Sequence, residues 1–417
     1  MIRRPPMTTA PRTSSRRQSC SLPEALSLRA ALGGLLVTTP GCVLAINTIR
    51  HTTVNMDNWN VSRITLGLRG DGICPRAPVQ LALSAAARHV ARDKAKTFET
   101  WAGDAQAASR IGKLGFDEFT LTVDGGNVDA ESGWFTPNPD VLATASSGFR
   151  LEAIYKRQNE VAPAKRALPP SYACITGGGV SGPDGPGGAT GRPGNAGVAG
   201  QSGGSDASGG HGGDGTGGSQ GGNGGAGGRG GSITAWATMV RTPHHARLGM
   251  LVFEGDATDV VLFDPAIGYA LVARGGAGGP GGSGGQGGGG GSGGSAGVGG
   301  NGGNGGNGGN GGVGGDGGPG GSIVLVVDAE HPELAGMIRL DVGGGRGGYE
   351  GSDGDGGSGG SGGSSSAETA SRGTDGSTGT DGSAGSSGRG GTAGVAQVDR
   401  GDVAAKFAGL PSGIEPL

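Results

Sequence analysis

Aromatic side chains are scarce in this chain, and their scarcity limits how it can fold. They make up 4% of the 417 residues, and hydrophobic residues of every kind make up 33%. Burial of apolar surface is the main force that stabilises a folded core, so one core spanning the whole chain is excluded. Hydrophobic cores are expected only in the glycine-poor parts of the sequence, which are residues 46–173, 232–273 and 322–342.

The chain also lacks a large excess of either charge, since its formal net charge is only −3. No cluster of Lys and Arg forms the basic stripe that binding to phosphate groups requires, so nucleic acid is not expected as a partner. The chain has no Cys/His spacing typical of zinc and no nucleophile–base pair. We therefore predict that the protein is not an enzyme, with no catalytic, cofactor-binding or metal-binding residues and no cofactor.

Aspartates recur in the glycine-rich part, where they could indicate calcium. The Gly-rich calcium β-roll also needs an apolar position in each repeat, and these repeats lack it. We therefore interpret the aspartates as solvated surface, and Asp124, Asp129 and Glu131 as a turn. The aspartates concerned are Asp184, Asp214, Asp316, Asp353, Asp355, Asp375 and Asp381.

Residues 1–45 have the composition of an export signal. Several arginines precede a short apolar stretch at 30–37, and small residues follow it. That stretch is shorter than the roughly 20 residues that a membrane-spanning helix needs. Gly41-Cys42 resembles the end of a lipoprotein signal, which makes Cys42 a lipidation candidate, although Pro40 departs from the pattern. A disordered, arginine-rich N-terminus is the alternative.

Export predicts an extracellular protein, or one at the cell surface or outer membrane, with membrane contact only through a lipid on Cys42. Cys74 and Cys174 then remain as one pair and are disulfide candidates. A bridge between them closes a loop of about 100 residues, for which chain entropy gives a stabilisation of about 4–5 kcal/mol. Two unpaired buried thiols are the alternative.

Glycine is abundant, with 102 residues, and it recurs at every third position in long runs between Gly179 and Gly394. From 276 to 321 every position in one phase is glycine, and a second phase is glycine except for Ala296. A period of three matches neither an α-helix nor a β-strand. It matches the extended left-handed helix that has three residues per turn and no internal hydrogen bonds.

Three structures fit this period: a bundle within one chain, a collagen-like trimer, and disorder. Collagen carries much more proline than these segments do, and two glycines per turn suit an arm with neighbours on two sides. The glycine falls into three segments, each of which reads as a hairpin of two arms. We expect the second segment inside a bundle, with the arm at 179–203 and both arms of the third segment outside.

Residues 46–173 consist of short apolar runs separated by turn signals, which indicates a β-sandwich. A helix over 81–96 is an alternative, because three consecutive alanines favour helix. Residues 161–170 are predicted to be a linker, and 397–417 a C-terminal tail. The predicted strands are 62–68, 79–84, 97–102, 119–123, 142–145 and 149–155, followed by 233–240, 248–254, 260–263, 269–272, 323–328 and 337–342.

Two parts of the chain resemble known families. FTLTVDGGNVDAESGWF, at 119–135, resembles the bacterial immunoglobulin-like repeat of surface proteins, which implies a spacer or adhesive module. GGDGGPGGSIVLVVDAEHPEL, at 314–334, resembles the glycine-rich domain of the Obg family, which implies paired glycine helices projecting from a β base. The Obg nucleotide-binding half is missing, because no G-x-x-x-x-G-K-[ST] motif occurs. The glycine repeats are also similar to those of mycobacterial and collagen-like surface proteins.

The sequence therefore predicts a mainly β protein in two folded parts. An immunoglobulin-like β-sandwich at 46–173 is followed at 174–396 by a small β base that carries three left-handed polyglycine-II hairpins. We expect a non-enzymatic structural protein of the bacterial surface or envelope. The alternatives are an adhesin or a ligand- or ice-binding module that uses the hairpin tips, and a collagen-like trimer. Expected partners are envelope components, glycans or other surface proteins.

Overall fold

The structure, a computed structural model, describes residues 52–104 and 108–417. The predicted export signal at 1–45 and the lipidation candidate Cys42 lie outside the described residues. The described part of the chain is mainly β, as predicted, with several antiparallel sheets and little helix. These described residues belong to one compact unit, which contains a β-sandwich, a β base and a set of glycine-rich arms.

The sandwich consists of two antiparallel sheets around one hydrophobic core. Its elements are β1 (Trp59–Leu68), β2 (Val79–His89), β3 (Ala95–Glu99), a 3-10 helix (Phe116–Glu118), β4 (Phe119–Asp124), β5 (Gly126–Val128), β6 (Trp134–Pro137), β7 (Phe149–Tyr155) and β8 (Ala164–Leu168). One sheet has the order β1-β2-β6-β5, with β3 also paired to β2, and the other has the order β4-β7-β8.

The strand β2 contains the three alanines that favoured a helix. Its buried residues alternate with more exposed ones, and Leu81, Leu83, Ala85 and Ala87 all point into the sandwich core. Helix propensities differ by less than about 1 kcal/mol per residue, whereas a period of two lets every second side chain be buried. The helix alternative is therefore wrong.

Two other segments differ from the expectation. Residues 142–145, predicted as a strand, form a turn in which the Leu142 amide donates to the Asp140 carboxylate at 2.9 Å. The predicted linker contains β8, which pairs antiparallel with β7. Its prolines lie on either side of β8, where they leave the ladder hydrogen bonds intact.

The base is built from two further sheets. Its elements are β9 (Gly177–Gly179), β10 (Ser232–Arg241), β11 (Leu248–Gly255), β12 (Asp259–Phe263), β13 (Tyr269–Val272), β14 (Ser322–Asp328), α1 (Leu334–Met337), β15 (Ile338–Asp341), β16 (Val395–Gly401), a 3-10 helix (Ala404–Phe407) and β17 (Glu415–Pro416). One sheet is parallel, in the order β15-β13-β9. The other has the order β12-β11-β10-β14-β16, with β17 paired to β10.

Both base sheets contribute to a second hydrophobic core. It includes Ile233 and Ala235 from β10, Ile323 and Leu325 from β14, and Leu271 from β13. In β10 and β14 these buried residues alternate with more exposed ones, which is the pattern that makes each segment a strand. The strands predicted between the glycine segments all occur, within a few residues of the predicted bounds.

Residues 397–417 belong to the base and do not form a tail. They contain most of β16, the second 3-10 helix and β17. Val403, Phe407 and Ile414 are buried in the base core. These apolar residues are widely spaced among polar ones, so the sequence carries no strand or helix period, yet their burial fixes the segment.

Six glycine-rich segments, which we call arms A to F, connect the strands of the base. They are arm A (residues 180–203), arm B (209–231), arm C (274–297), arm D (299–321), arm E (343–363) and arm F (373–394). Backbone N–H groups in each arm donate to carbonyl groups of other arms at intervals of three residues. In arm A, for example, Gly182 donates to Arg274 of arm C at 2.8 Å and Gly185 donates to Ala277 at 2.7 Å.

These hydrogen bonds arrange the arms in two rows. Arms A, C and E run parallel in one row, and arms B, D and F run in the opposite direction in the other. Arm C bonds to arms A, B, D and E, and arm D bonds to arms B, C, E and F. At one end, arm A bonds to arms B and C. At the other end, arm F bonds to arms D and E.

Arm E differs from its expected position on the outside, because it bonds to arms C, D and F. The sequence contains the reason in a second glycine phase, at Gly344, Gly347, Gly356, Gly359 and Gly362. Glu350 and Asp353 interrupt that phase, so the sequence of arm E was interpreted as having only one glycine phase. A carbonyl of arm F lies against each of the five glycines.

The register of the base strands continues into the arms. Ser322 of β14 pairs with Val395 of β16, and two residues earlier Gly320 of arm D donates to Thr392 of arm F. On the other row, Val272 pairs with Asp341, and Gly275 then donates to Gly343. Strand pairing in the base therefore sets which residues of the arms meet.

Glycine is required in the arms where another arm comes into contact. A Cβ atom on Gly288 of arm C would overlap with the carbonyl oxygen of Asn195 in arm A. The next residue, Gly289, faces outward, and a Cβ there would lie 3.5 Å from the Ser358 hydroxyl, its nearest neighbour. Two adjacent glycines thus differ in whether a side chain fits.

We expect Gly288→Ala to destabilise the protein and Gly289→Ala to leave its stability nearly unchanged. Overpacking of this kind costs about 1–3 kcal/mol, whereas alanine at a compatible position restricts the unfolded chain and can add about 0.4–1 kcal/mol. Chemical denaturation followed by circular dichroism measures both free energies of unfolding. Equal effects of the two substitutions would contradict the packing of arm C.

Candidate functional surface

The two cysteines predicted as a disulfide pair are bonded to each other in the structure. Cys74 precedes β2 of the sandwich and Cys174 precedes β9 of the base, with their Cα atoms 6.1 Å apart and a sequence separation of 100. Nearby, the guanidinium of Arg76 donates to both carboxylate oxygens of Asp259, each at 2.7 Å. The sandwich is therefore joined to the base by a covalent bond and by a bidentate ion pair.

Aspartates of the arms accept hydrogen bonds from backbone amides of neighbouring arms. The Asp214 carboxylate accepts from the Asn304 amide at 2.6 Å, and Asp316 accepts from Arg389 at 2.8 Å. Asp184, Asp375 and Asp381 do the same. In the part of the chain that the structure describes, no group of three His, Cys, Asp or Glu could hold a metal ion. These aspartates satisfy amides that face no carbonyl.

Asp129 lies in a turn between β5 and β6. Its carboxylate accepts hydrogen bonds from the Ser132 hydroxyl and from the Glu131 amide, the latter at 3.0 Å. These two bonds, the Ser132 bond above all, lower the pKa of Asp129 because they favour the charged carboxylate. Asp129 thus acts as a turn residue, as the sequence indicated.

Four asparagines of arm D form a regular ladder with arm F. Oδ1 of Asn301, Asn304 and Asn307 accepts from the amides of Thr374, Ser377 and Thr380, each at 3.0 Å, and Asn310 accepts from Ser383 at 2.9 Å. Their Oδ1 atoms thereby satisfy amides that have no partner in the backbone pattern.

The ladder lines an exposed surface of the two arms, which we call the Asn–Ser/Thr face. It consists of residues 301, 304, 307 and 310 of arm D and residues 374, 377, 380 and 383 of arm F. Because each Oδ1 is held by an amide, the side-chain amide groups point in a fixed direction. At about 3.1 Å per residue in an extended chain with this period, the array repeats roughly every 9 Å along an arm.

A cavity of about 400 Å³ lies where the sandwich meets the base, lined by Asp71, Tyr172, His245 and Asp264 among others. Burial lowers the pKa of His245, and the neighbouring His244 lowers it further. Burial raises the pKa of Tyr172. The Tyr172 hydroxyl and Nδ1 of His245 are both buried without a hydrogen-bond partner. The sequence placed these histidines in a loop but did not indicate the cavity.

No helix of the described residues is both long and apolar enough to span a bilayer. No family model, curated protein or solved structure matches the chain.

We expect Asn307→Ala to speed amide hydrogen exchange at Thr380, because the substitution removes the acceptor for that amide. A hydrogen bond contributes about 0.5–1.5 kcal/mol net, and at this exposed position we expect the lower end of the range. Asn307→Asp is the matched control, since it keeps an oxygen at the same place. If exchange at Thr380 were equally slow in the alanine variant, the ladder would have no part in holding arm F.

Proposed function

We propose that this is a non-enzymatic structural protein of the bacterial surface or envelope, in which a β-sandwich spacer carries a stiff glycine-rich head. The observation that carries the proposal is the continuous register from the base strands into the arms. A head whose arms are fixed by backbone pairing and by a buried core has the rigidity that a structural role requires.

For the spacer, we propose an immunoglobulin-like fold. Immunoglobulin constant domains have the sheet orders A-B-E-D and C-F-G. The orders β1-β2-β6-β5 and β4-β7-β8 correspond to them if β3 is an addition between strands B and C.

For the head, we propose three left-handed polyglycine-II hairpins, made by arms A and B, C and D, and E and F. The support is the period of three in the interarm hydrogen bonds and the antiparallel bonding within each pair, such as Gly303 to Gly291 at 2.9 Å. Each arm would reach roughly 60–80 Å at ~3.1 Å per residue. We favour this bundle over a collagen-like trimer because the arms find their partners within one chain.

The location at the cell surface rests on the sequence of residues 1–45 and on the disulfide, since disulfides persist in oxidising compartments. We expect the full chain, expressed in a bacterial host, to be exported, oxidised at Cys74 and Cys174, and labelled with fatty acid at Cys42. Cell fractionation, thiol alkylation and metabolic labelling measure the three properties. Cys42→Ser should abolish labelling and release the protein from the membrane fraction.

Cys20→Ser is the matched control, because Cys20 lies inside the proposed signal and is not expected to carry a lipid. It should leave labelling and location unchanged. Recovery of the wild-type protein in the cytosol with both Cys74 and Cys174 reduced would overturn the surface proposal.

A second candidate function is that of a glycan- or ice-binding module, and the Asn–Ser/Thr face favours it. That face presents oriented amide and hydroxyl groups at a constant repeat, which is the property that recognition of a repeating ligand requires. A glycan array and an ice-recrystallisation assay test the two ligands. Activity should fall in Asn304→Ala and persist in Gln220→Ala on arm B, which lies outside the face. Absence of both activities in the wild-type protein removes this candidate.

A further inference from the structure

The strand β16 is an uncovered edge of the larger base sheet. In the described part of the chain it pairs only with β14. At the opposite edge of the same sheet, Arg76 of the sandwich contacts β12, donating to the Val260 carbonyl at 3.0 Å and to the Asp259 carboxylate. Exposed edges are templates for pairing with another strand, and β16 is such an edge.

The backbone of β16 offers its free groups in a symmetric pattern. In a parallel pair each bonded residue directs both its N–H and its C=O toward the same neighbour. The Val395 amide donates to Gly321, and the Gly401 carbonyl accepts from Ala329, so the odd-numbered residues of β16 face inward. Ala396, Val398 and Arg400 therefore face outward, and they are symmetric about Val398, the middle residue of Val395–Gly401.

The side chain of Val398 is exposed although it lies on the core side of the sheet. It pairs with Leu325, which is fully buried, whereas Val398 is 47% exposed. The opposing three-stranded sheet ends at β15 and does not bury Val398. An apolar side chain is thus left open to solvent at the centre of a free edge.

We propose that two copies of the protein associate through β16, with the two strands antiparallel and a two-fold axis passing by Val398. Val398 then lies opposite Val398 of the second copy, and Ala396 lies opposite Arg400. All three outward residues of each strand meet outward residues of the other, so every free N–H on this edge finds a carbonyl. The two exposed valines bury each other.

The occupant is a second copy because the strand is complementary to itself in this register. Gln397 donates to Asp399 of its own strand and lies opposite Asp399 of the second copy, so an amide faces each carboxylate and like charges do not face each other. Two-fold interfaces of this kind are the commonest way in which proteins form dimers. This inference does not depend on the proposed surface function, since it uses only the geometry of the base.

Disulfide crosslinking tests the register. In the full chain carrying Cys20→Ser and Cys42→Ser, Val398→Cys should form a covalent dimer on mild oxidation, because opposite residues in a bonded pair have Cα atoms about 5.5 Å apart. Ala396→Cys alone should not, since residue 396 faces residue 400 of the second copy. A mixture of differently tagged Ala396→Cys and Arg400→Cys chains should give the mixed dimer. Self-crosslinking at 396 and not at 398 would overturn the proposed register.

Proline at the same position tests whether the edge is used. The outward amide of Val398 has no partner in the single chain, so Val398→Pro removes a donor without breaking a bond to β14, and edge strands accept such a proline. We expect sedimentation velocity to show a dimer for the wild type and for Val398→Thr, with a dissociation constant at least tenfold higher for Val398→Pro. Unchanged dimerisation of Val398→Pro, or a wild type that is monomeric at tens of micromolar, would overturn the proposal.

Discussion

The arms depend on one interaction, the hydrogen bond from an amide in one arm to a carbonyl in another. An extended chain with three residues per turn forms none within itself. Ordering one residue costs about 1–2 kcal/mol of backbone entropy, and one hydrogen bond contributes about 0.5–1.5 kcal/mol net. A pair of arms alone therefore gains too little. In two rows, an arm has neighbours both in its own row and in the other row, so most turns make two such bonds. Arms C and D, which each bond to four other arms, show this arrangement.

The base makes this interaction achievable because the pairing of its strands sets the register of the arms. Ile233 and Ile323, paired in β10 and β14 and both buried, align two strands that lead directly out of arms B and D. Burial of side chains of this size contributes about 1.5–3 kcal/mol each, which glycine cannot supply. The asparagine ladder then adds side-chain bonds such as Asn307 to Thr380, which favour the same register from the outside.

The sequence predicts the parts of this fold that have a period. The glycine phases located the second segment, and alternation located β4, β7 and the strands of the base. Prediction failed where few residues carry the signal. Glu350 and Asp353 hid the second phase of arm E, and β16 has exposed residues on both faces. The cavity beside His245 needs contacts between distant segments, and no local pattern encodes it.

Inside the set of arms, backbone amides and carbonyls bond to one another, and the groups that remain unpaired lie at its borders. Glycine removes side chains wherever arms touch, as at Gly288, so the contacts inside the set of arms are made by backbone groups. The groups that remain are the exposed side chains of each third residue, the Asn–Ser/Thr face, and the free backbone of the last strand. Because β16 is open, the sheet can grow in the direction of that edge. Two-fold pairing at Val398 closes that direction after one addition, which gives a dimer in place of a fibre.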